Sequence, residues 1–168
     1  MKGRTVLILV FLSFFLFSGT CEIYKKVTAI NPLSMPDKIL VYKKGIEIDI
    51  SKTDSEYKEI LKFSNARFPK YMCRTTDVIN NEVIEKYKKE TVAVELIYNK
   101  EQSMELKNDK QGSFKYNKLF FVFEDNHQYL SSTFQYGDKE EYKDSSIGQL
   151  LEVEELTNII KEITGKIH

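Results

Sequence analysis

Few side chains in this sequence have the type and spacing that chemistry needs. Histidine is the usual general base near neutral pH, and the chain has two. His127 falls at an expected hairpin turn and His168 is the last residue, positions where a histidine is ordinarily just solvated. Cys73, within Tyr71-Met72-Cys73-Arg74, gains nucleophilicity if Arg74 lowers its pKa. No third group completes such a site, and a buried or disulfide-linked thiol explains the residue more simply. Glu47 and Asp49 lie two apart and share one strand face, whereas the carboxylate pair of a glycosidase comes from different elements flanking a cleft. Asp125-Asn126-His127 offers oxygen and nitrogen ligands, but without the ligand number and spacing of a calcium loop. There is no Gly-rich phosphate loop, no Gly-x-Ser-x-Gly elbow and no His-Glu-x-x-His helix. No catalytic residue, cofactor or metal site is expected.

The elements that position these residues follow from periodicity and turn signals. Lys38 to Lys43 is rich in strand formers, Lys44-Gly45 is a turn, and Ile46-Glu47-Ile48-Asp49-Ile50 alternates strictly. The pattern predicts a β-hairpin that buries Ile46, Ile48 and Ile50 and turns Glu47 and Asp49 to water. Thr53 followed by Glu56 predicts a capping box, opening a helix through Tyr57, Ile60, Leu61 and Phe63 that ends before Pro69. A second helix is expected from Val78 to Lys89, with Val83, Ile84 and Tyr87 as its apolar stripe. Thr91 to Tyr98 reads as a strand, Asn99-Lys100-Glu101 as a turn and Ser103 to Lys107 as the partner strand. Lys118 to Glu124 is apolar at every position from Leu119 to Phe123, as in a strand covered on both faces. Asp125-Asn126 turns it back into His127 to Tyr136. A last helix, capped by Ser145 or Ser146, carries Leu150, Leu151, Val153, Leu156, Ile159, Ile160 and Ile163, and Gly165 ends it.

The expected order is therefore hairpin, two helices, four-strand meander, helix. Strands joined by short turns pair antiparallel, so the fold class is α+β with helices on an antiparallel sheet. The meander gathers Phe114, Tyr116, Phe120, Phe121, Phe123, Tyr129, Phe134 and Tyr136. Buried, these rings fill the space between sheet and helices. Exposed, they offer a surface to a protein or glycan partner, and Tyr129 and Tyr136 are the expected surface members because a hydroxyl tolerates a boundary.

The start of the chain carries an address. Met1 to Arg4 holds two cations, and Val6 to Phe17 is apolar apart from Ser13. This is signal-peptide order, and a run of twelve is too short to span a bilayer, which takes about 20 residues. Small residues Ser18, Gly19 and Thr20 precede Cys21, so cleavage is expected between Thr20 and Cys21. A cysteine at the first mature position resembles the lipobox of bacterial lipoproteins. That resemblance implies diacylglycerol on Cys21 and attachment of the mature chain to the outer face of the cell membrane. Plain secretion and an uncleaved anchor are the other readings. If Cys21 is acylated, Cys73 is a lone thiol; otherwise the two can form one disulfide.

Residues 1–20 are thus read as signal peptide, 21–36 as a spacer containing Pro32 and Pro36, and 37–168 as one α+β domain. Without residues 1–20, 148 residues remain with 23 Lys and Arg against 25 Asp and Glu. A charge of −2 speaks against a nucleic-acid partner, an apolar share of 42% against disorder, and two cysteines against a structural zinc site. The layout, with Lys-Ile-Leu-Val-Tyr-Lys-Lys-Gly-Ile-Glu-Ile as hairpin and Leu-Phe-Phe-Val-Phe-Glu-Asp-Asn opening a meander, resembles small modules of exported proteins and lipoproteins of Gram-positive bacteria. Such modules carry no assigned activity. The reading is a non-enzymatic extracytoplasmic protein, a membrane-tethered lipoprotein that binds at the cell surface. The alternative is a secreted inhibitor or immunity-type protein acting through a protein interface on the meander.

Overall fold

The computed structural model describes residues 33–106, 112–124 and 130–166. The signal segment, Cys21, the two histidines, Asp125-Asn126 and Tyr129 lie outside the described residues. Seven strands form one sheet: β1 (Lys38–Lys43), β2 (Ile46–Ile50), β3 (Cys73–Val78), β4 (Val92–Glu105), β5 (Ser113–Glu124), β6 (Thr133–Gly137) and β7 (Ser145–Gly148). The helices are α1 (Ser55–Ala66), α2 (Asn81–Glu90) and α3 (Glu154–Gly165). Strand order is β2-β1-β4-β5-β6-β7-β3 and every pairing is antiparallel, so the α+β class holds.

The hairpin forms at Lys44-Gly45, both left-handed at φ 48° and 89°, the backbone a two-residue hairpin requires. Glu47 and Asp49 face water as the alternation predicts, but of the isoleucines only Ile50 is buried; Ile46 is 48% exposed. The reason is position, since β2 is an edge strand with a neighbour on one side only. The expected turn at Asn99-Lys100-Glu101 does not reverse the chain. Instead β4 runs on for 14 residues, and Tyr98 to Glu101 bulge opposite the single residue Asn117. Asn117 Nδ2 donates to the Tyr98 carbonyl there, and Asp37 Oδ2 accepts from Asn99 N–H, so local side chains satisfy the backbone that the bulge frees. The two expected strands are one, and β7 supplies the fourth strand of the meander.

Three further expectations change. Thr53 does not cap α1; Asp54 holds the N-cap position without a side-chain cap bond, because its carboxylate accepts from Ser51 N–H instead. Residues 73–78 form β3 rather than the approach to a helix, so α2 begins three residues late, capped by Asn80 accepting from Val83 N–H. Ser145 and Ser146 lie in β7 rather than capping α3, and the last helix starts at Glu154 after Leu150, Leu151 and Val153 have crossed the sheet end as loop.

Alternation along the central strands divides the core. Ile39, Val41, Val94, Leu96, Leu119, Phe121, Phe134 and Ile147 face α1 and α3, which add Tyr57, Ile60, Leu156, Ile160 and Ile163. Leu40, Tyr42, Ala93, Phe120 and Val122 face the other way, under Ile84 of α2 and Tyr142. Of the meander rings, Phe114, Tyr116, Phe120, Phe121, Phe134 and Tyr136 are buried and Phe123 is partly so; Phe121 and Phe134 meet Phe68 and each other at 5.4–6.4 Å between centroids, each such pair contributing about 0.5–1.5 kcal/mol beyond area burial. Leu33 already packs in this core, its N–H donating to Asn65 Oδ1.

Candidate functional site

Each face of the sheet buries one charged side chain. On the α2 face, Glu95 of β4 is 4% exposed. Its Oε2 accepts from the Tyr42 hydroxyl at 2.7 Å, its Oε1 accepts from the Tyr142 hydroxyl, and Lys88 Nζ stands 3.3 Å away. Tyr142 reaches Glu95 because the chain after β6 doubles back over Gly137, where a Cβ would strike the Glu141 carbonyl. Asp138 holds that turn by accepting from Glu140 and Glu141 N–H at 2.9 Å and pairing with Lys143. Burial and the Glu95 carboxylate push the hydroxyls of Tyr42 and Tyr142 well above the usual tyrosine range, so both stay protonated donors. Burial also lowers the half-buried Lys118 ammonium, which lies 4.5 Å over the Tyr142 ring. Every oxygen of Glu95 is satisfied, as a structural buried charge requires.

On the opposite face Arg67 follows α1 and is 5% exposed. Its main chain and side chain grip the segment before α3: the Arg67 carbonyl accepts from Leu151 N–H at 2.7 Å and Nε donates to the Leu151 carbonyl at 3.3 Å. Nη2 donates to the Ser131 carbonyl, and the guanidinium lies over Phe121 and Phe123 at 5.8 and 5.1 Å. Nη1, with two N–H groups, is buried and has no hydrogen-bond partner among the described residues. Burial pushes the guanidinium down to about 10, against the pull of Glu152. Beside it lies an open cavity of about 280 Å³ lined by Arg67, Phe123, Leu150, Glu152, Val153 and Thr157, with Ser131 and Ser132 completing its wall. Val153 is the N-cap of α3 and gives no side-chain bond, so the cavity also meets the positive end of a helix.

The residues singled out from sequence are not brought together. Cys73 pairs with Gly148 and Arg74 with Ile147 on edge strand β3, so their side chains leave opposite faces. Arg74 lies over Phe114 and Tyr136 at 5.9 and 5.5 Å and donates to the Tyr136 hydroxyl; it is a ring-stacking cation, turned away from the thiol. Glu47 and Asp49 stand in the open, 3.8 and 3.2 Å from Lys38. Tyr136, expected at the surface, is 7% exposed, because Arg74 satisfies its hydroxyl inside and Phe114 packs 4.5 Å from its ring. Among the described residues no three His, Cys, Asp or Glu side chains converge as metal ligands, and no helix is long and apolar enough to cross a membrane.

Arg67, Glu95 and Lys88 carried no sequence motif. One signal was present: the chain has three arginines against 22 lysines. Arginine is kept where a planar, always-charged fork is needed, and Arg67 and Arg74 are both used that way.

No family model matches the sequence, and no curated protein shows significant similarity to it. Among solved structures, the crystal structure of YycH from Bacillus subtilis superposes with a TM-score of 0.58 at 10% identity. The match covers 84% of this chain and 40% of that one. At this identity the likeness is one of fold.

Proposed function

We propose that this is an exported, non-catalytic protein, held at the outer face of the cell membrane by a lipid on Cys21, whose domain works by binding a ligand. The observation that carries the binding half is the cavity lined by Arg67, a buried cation one of whose nitrogens has no hydrogen-bond partner among the described residues. Its lining supplies hydroxyls, one carboxylate and apolar walls, a set suited to holding a molecule. The export half rests on Met1 to Cys21: two cations, twelve largely apolar residues, three small ones and a cysteine. Two acyl chains on that cysteine retain a protein stably, since each buried methylene contributes about 0.8 kcal/mol. Leu33 is anchored to the core, so the stretch from Cys21 reaches at most about 40 Å when extended, enough to set the domain clear of the lipid headgroups.

Growth of cells with a clickable fatty-acid analogue tests the tether. The wild-type protein takes up label and the Cys21→Ser variant takes up none. Label that persists in Cys21→Ser overturns the assignment.

A further inference from the structure

A native chain rarely leaves a buried donor without a partner, because the desolvation of that group is then uncompensated. Arg67 Nη1 is such a donor, and it belongs to a full charge with no carboxylate in ion-pair range among the described residues. The helix beyond the cavity gives a second, independent indication. The first turn of α3 opens on Val153 without a side-chain cap, and both Val153 and Thr157 line the cavity. A buried cation and a helix start both favour an anion, although Glu154 and Glu155 in the first turn of α3 already offset part of the helix's share.

The surroundings narrow its chemistry. Glu152 lines the same cavity and its negative charge already offsets that of Arg67, so each further charge on the occupant is opposed and a monoanion is accepted more readily than a dianion. Phe123, Leu150 and Val153 give the walls an apolar character, and about 280 Å³ admits a ring or a short branched chain. The geometry points to a binding site for a small monocarboxylate with an apolar body, its carboxylate on Arg67 and its body against Phe123, Leu150 and Val153. Because Nη1 is out of solvent contact, binding entails a rotation of the guanidinium that presents Nη1 to the ligand. This inference names the ligand class for the binding role proposed above and does not depend on the lipid.

Three arginines make the test direct. Arginine Nε–H resonances of the full chain are recorded by NMR and assigned through Arg67→Lys, or by elimination with Arg74→Lys if that variant fails to fold. Benzoate and, separately, inorganic phosphate are titrated in. Benzoate shifts the Arg67 resonance saturably and leaves Arg74 unmoved, and phosphate binds at least tenfold more weakly. Glu152→Gln tightens benzoate severalfold by removing the competing charge. Thr157→Phe, which fills the cavity without touching the guanidinium, weakens it at least tenfold. An Arg67 resonance that ignores benzoate, a response unchanged by Thr157→Phe, or phosphate binding as tightly as benzoate each overturns the assignment. Benzoate binding without fatty-acid label on Cys21 removes the tether and keeps the site; label without benzoate binding does the reverse.

Discussion

Glu95 and Arg67 are buried almost equally, at 4% and 5% exposure, on opposite faces of one sheet, yet their surroundings differ in kind. Around Glu95 each oxygen has a hydroxyl donor, Lys88 supplies the opposite charge, and the neighbouring helix α2 is capped by a side chain. Around Arg67 one nitrogen has no acceptor among the described residues, Glu152 acts only from a distance, and the helix that starts beside it, α3, has no side-chain cap. Complete satisfaction marks a charge that holds the fold together. Incomplete satisfaction beside a cavity marks one that the fold holds in readiness.

The largest test sets the two against each other. Glu95→Ala strands two buried hydroxyls and leaves Lys88 only its exposed partner Glu85 at 3.2 Å, and breaking a buried pair in this way costs about 3–5 kcal/mol. Arg67→Met loses two hydrogen bonds to carbonyls, but it also removes an uncompensated buried charge and keeps an apolar body over Phe121 and Phe123, so the net loss is about 1 kcal/mol. Urea unfolding of both variants measures the difference. An Arg67→Met loss as large as that of Glu95→Ala erases the distinction and makes Arg67 a structural residue.

Alkali tests what the two faces share. Burial raises Tyr116, on the Arg67 face, to about 12, and raises Tyr42 further still with help from Glu95. A folded pKa above the unfolded value near 10 means that stability is intact below pH 10 and declines as pH rises toward the folded pKa. For Tyr116 the window runs from about 10 to about 12. At pH 11 each such group withdraws about 1.4 kcal/mol. The urea midpoint of the wild-type protein therefore falls between pH 8 and pH 11, and Tyr116→Phe recovers part of the fall. A midpoint that Tyr116→Phe leaves unchanged at pH 11 shows that its hydroxyl is open to water in solution.

How much of this was legible in sequence depends on where a residue's surroundings come from. Ile46 to Ile50 and Leu119 to Phe123 carry their strand pattern within themselves, and both segments are strands. The run Cys73-Arg74-Thr75-Thr76-Asp77-Val78 is polar because β3 is an edge strand, and polarity hid it from a search for apolar alternation. Asn99-Lys100-Glu101 has turn chemistry and bulges instead, because Asn117 and Asp37, distant in sequence, satisfy its backbone. The candidate site was less legible still: Arg67, Ser131 and Leu151 are separated by up to 84 residues, and no local pattern announces that three loops will meet. Tyr136 misled for the same reason, since the hydroxyl that suggested a boundary is satisfied by Arg74 across the sheet.

The smallest effect concerns the helix starts and reaches the same contrast from another side. Asn80 accepts from Val83 N–H at 3.1 Å on the Glu95 face, and losing an N-cap side chain of this kind costs about 1 kcal/mol. Asp54, at the start of α1 on the Arg67 face, accepts from Ser51 N–H and gives α1 no cap bond. Asp54→Ala therefore removes a single exposed loop bond and costs only about 0.5 kcal/mol. Thermal unfolding of Asn80→Ala and Asp54→Ala ranks the two helices directly. Equal losses imply that α1 is capped in solution by a side chain after all. The start of α3, beside the Arg67 cavity, would then stand alone among the described helices without a side-chain cap.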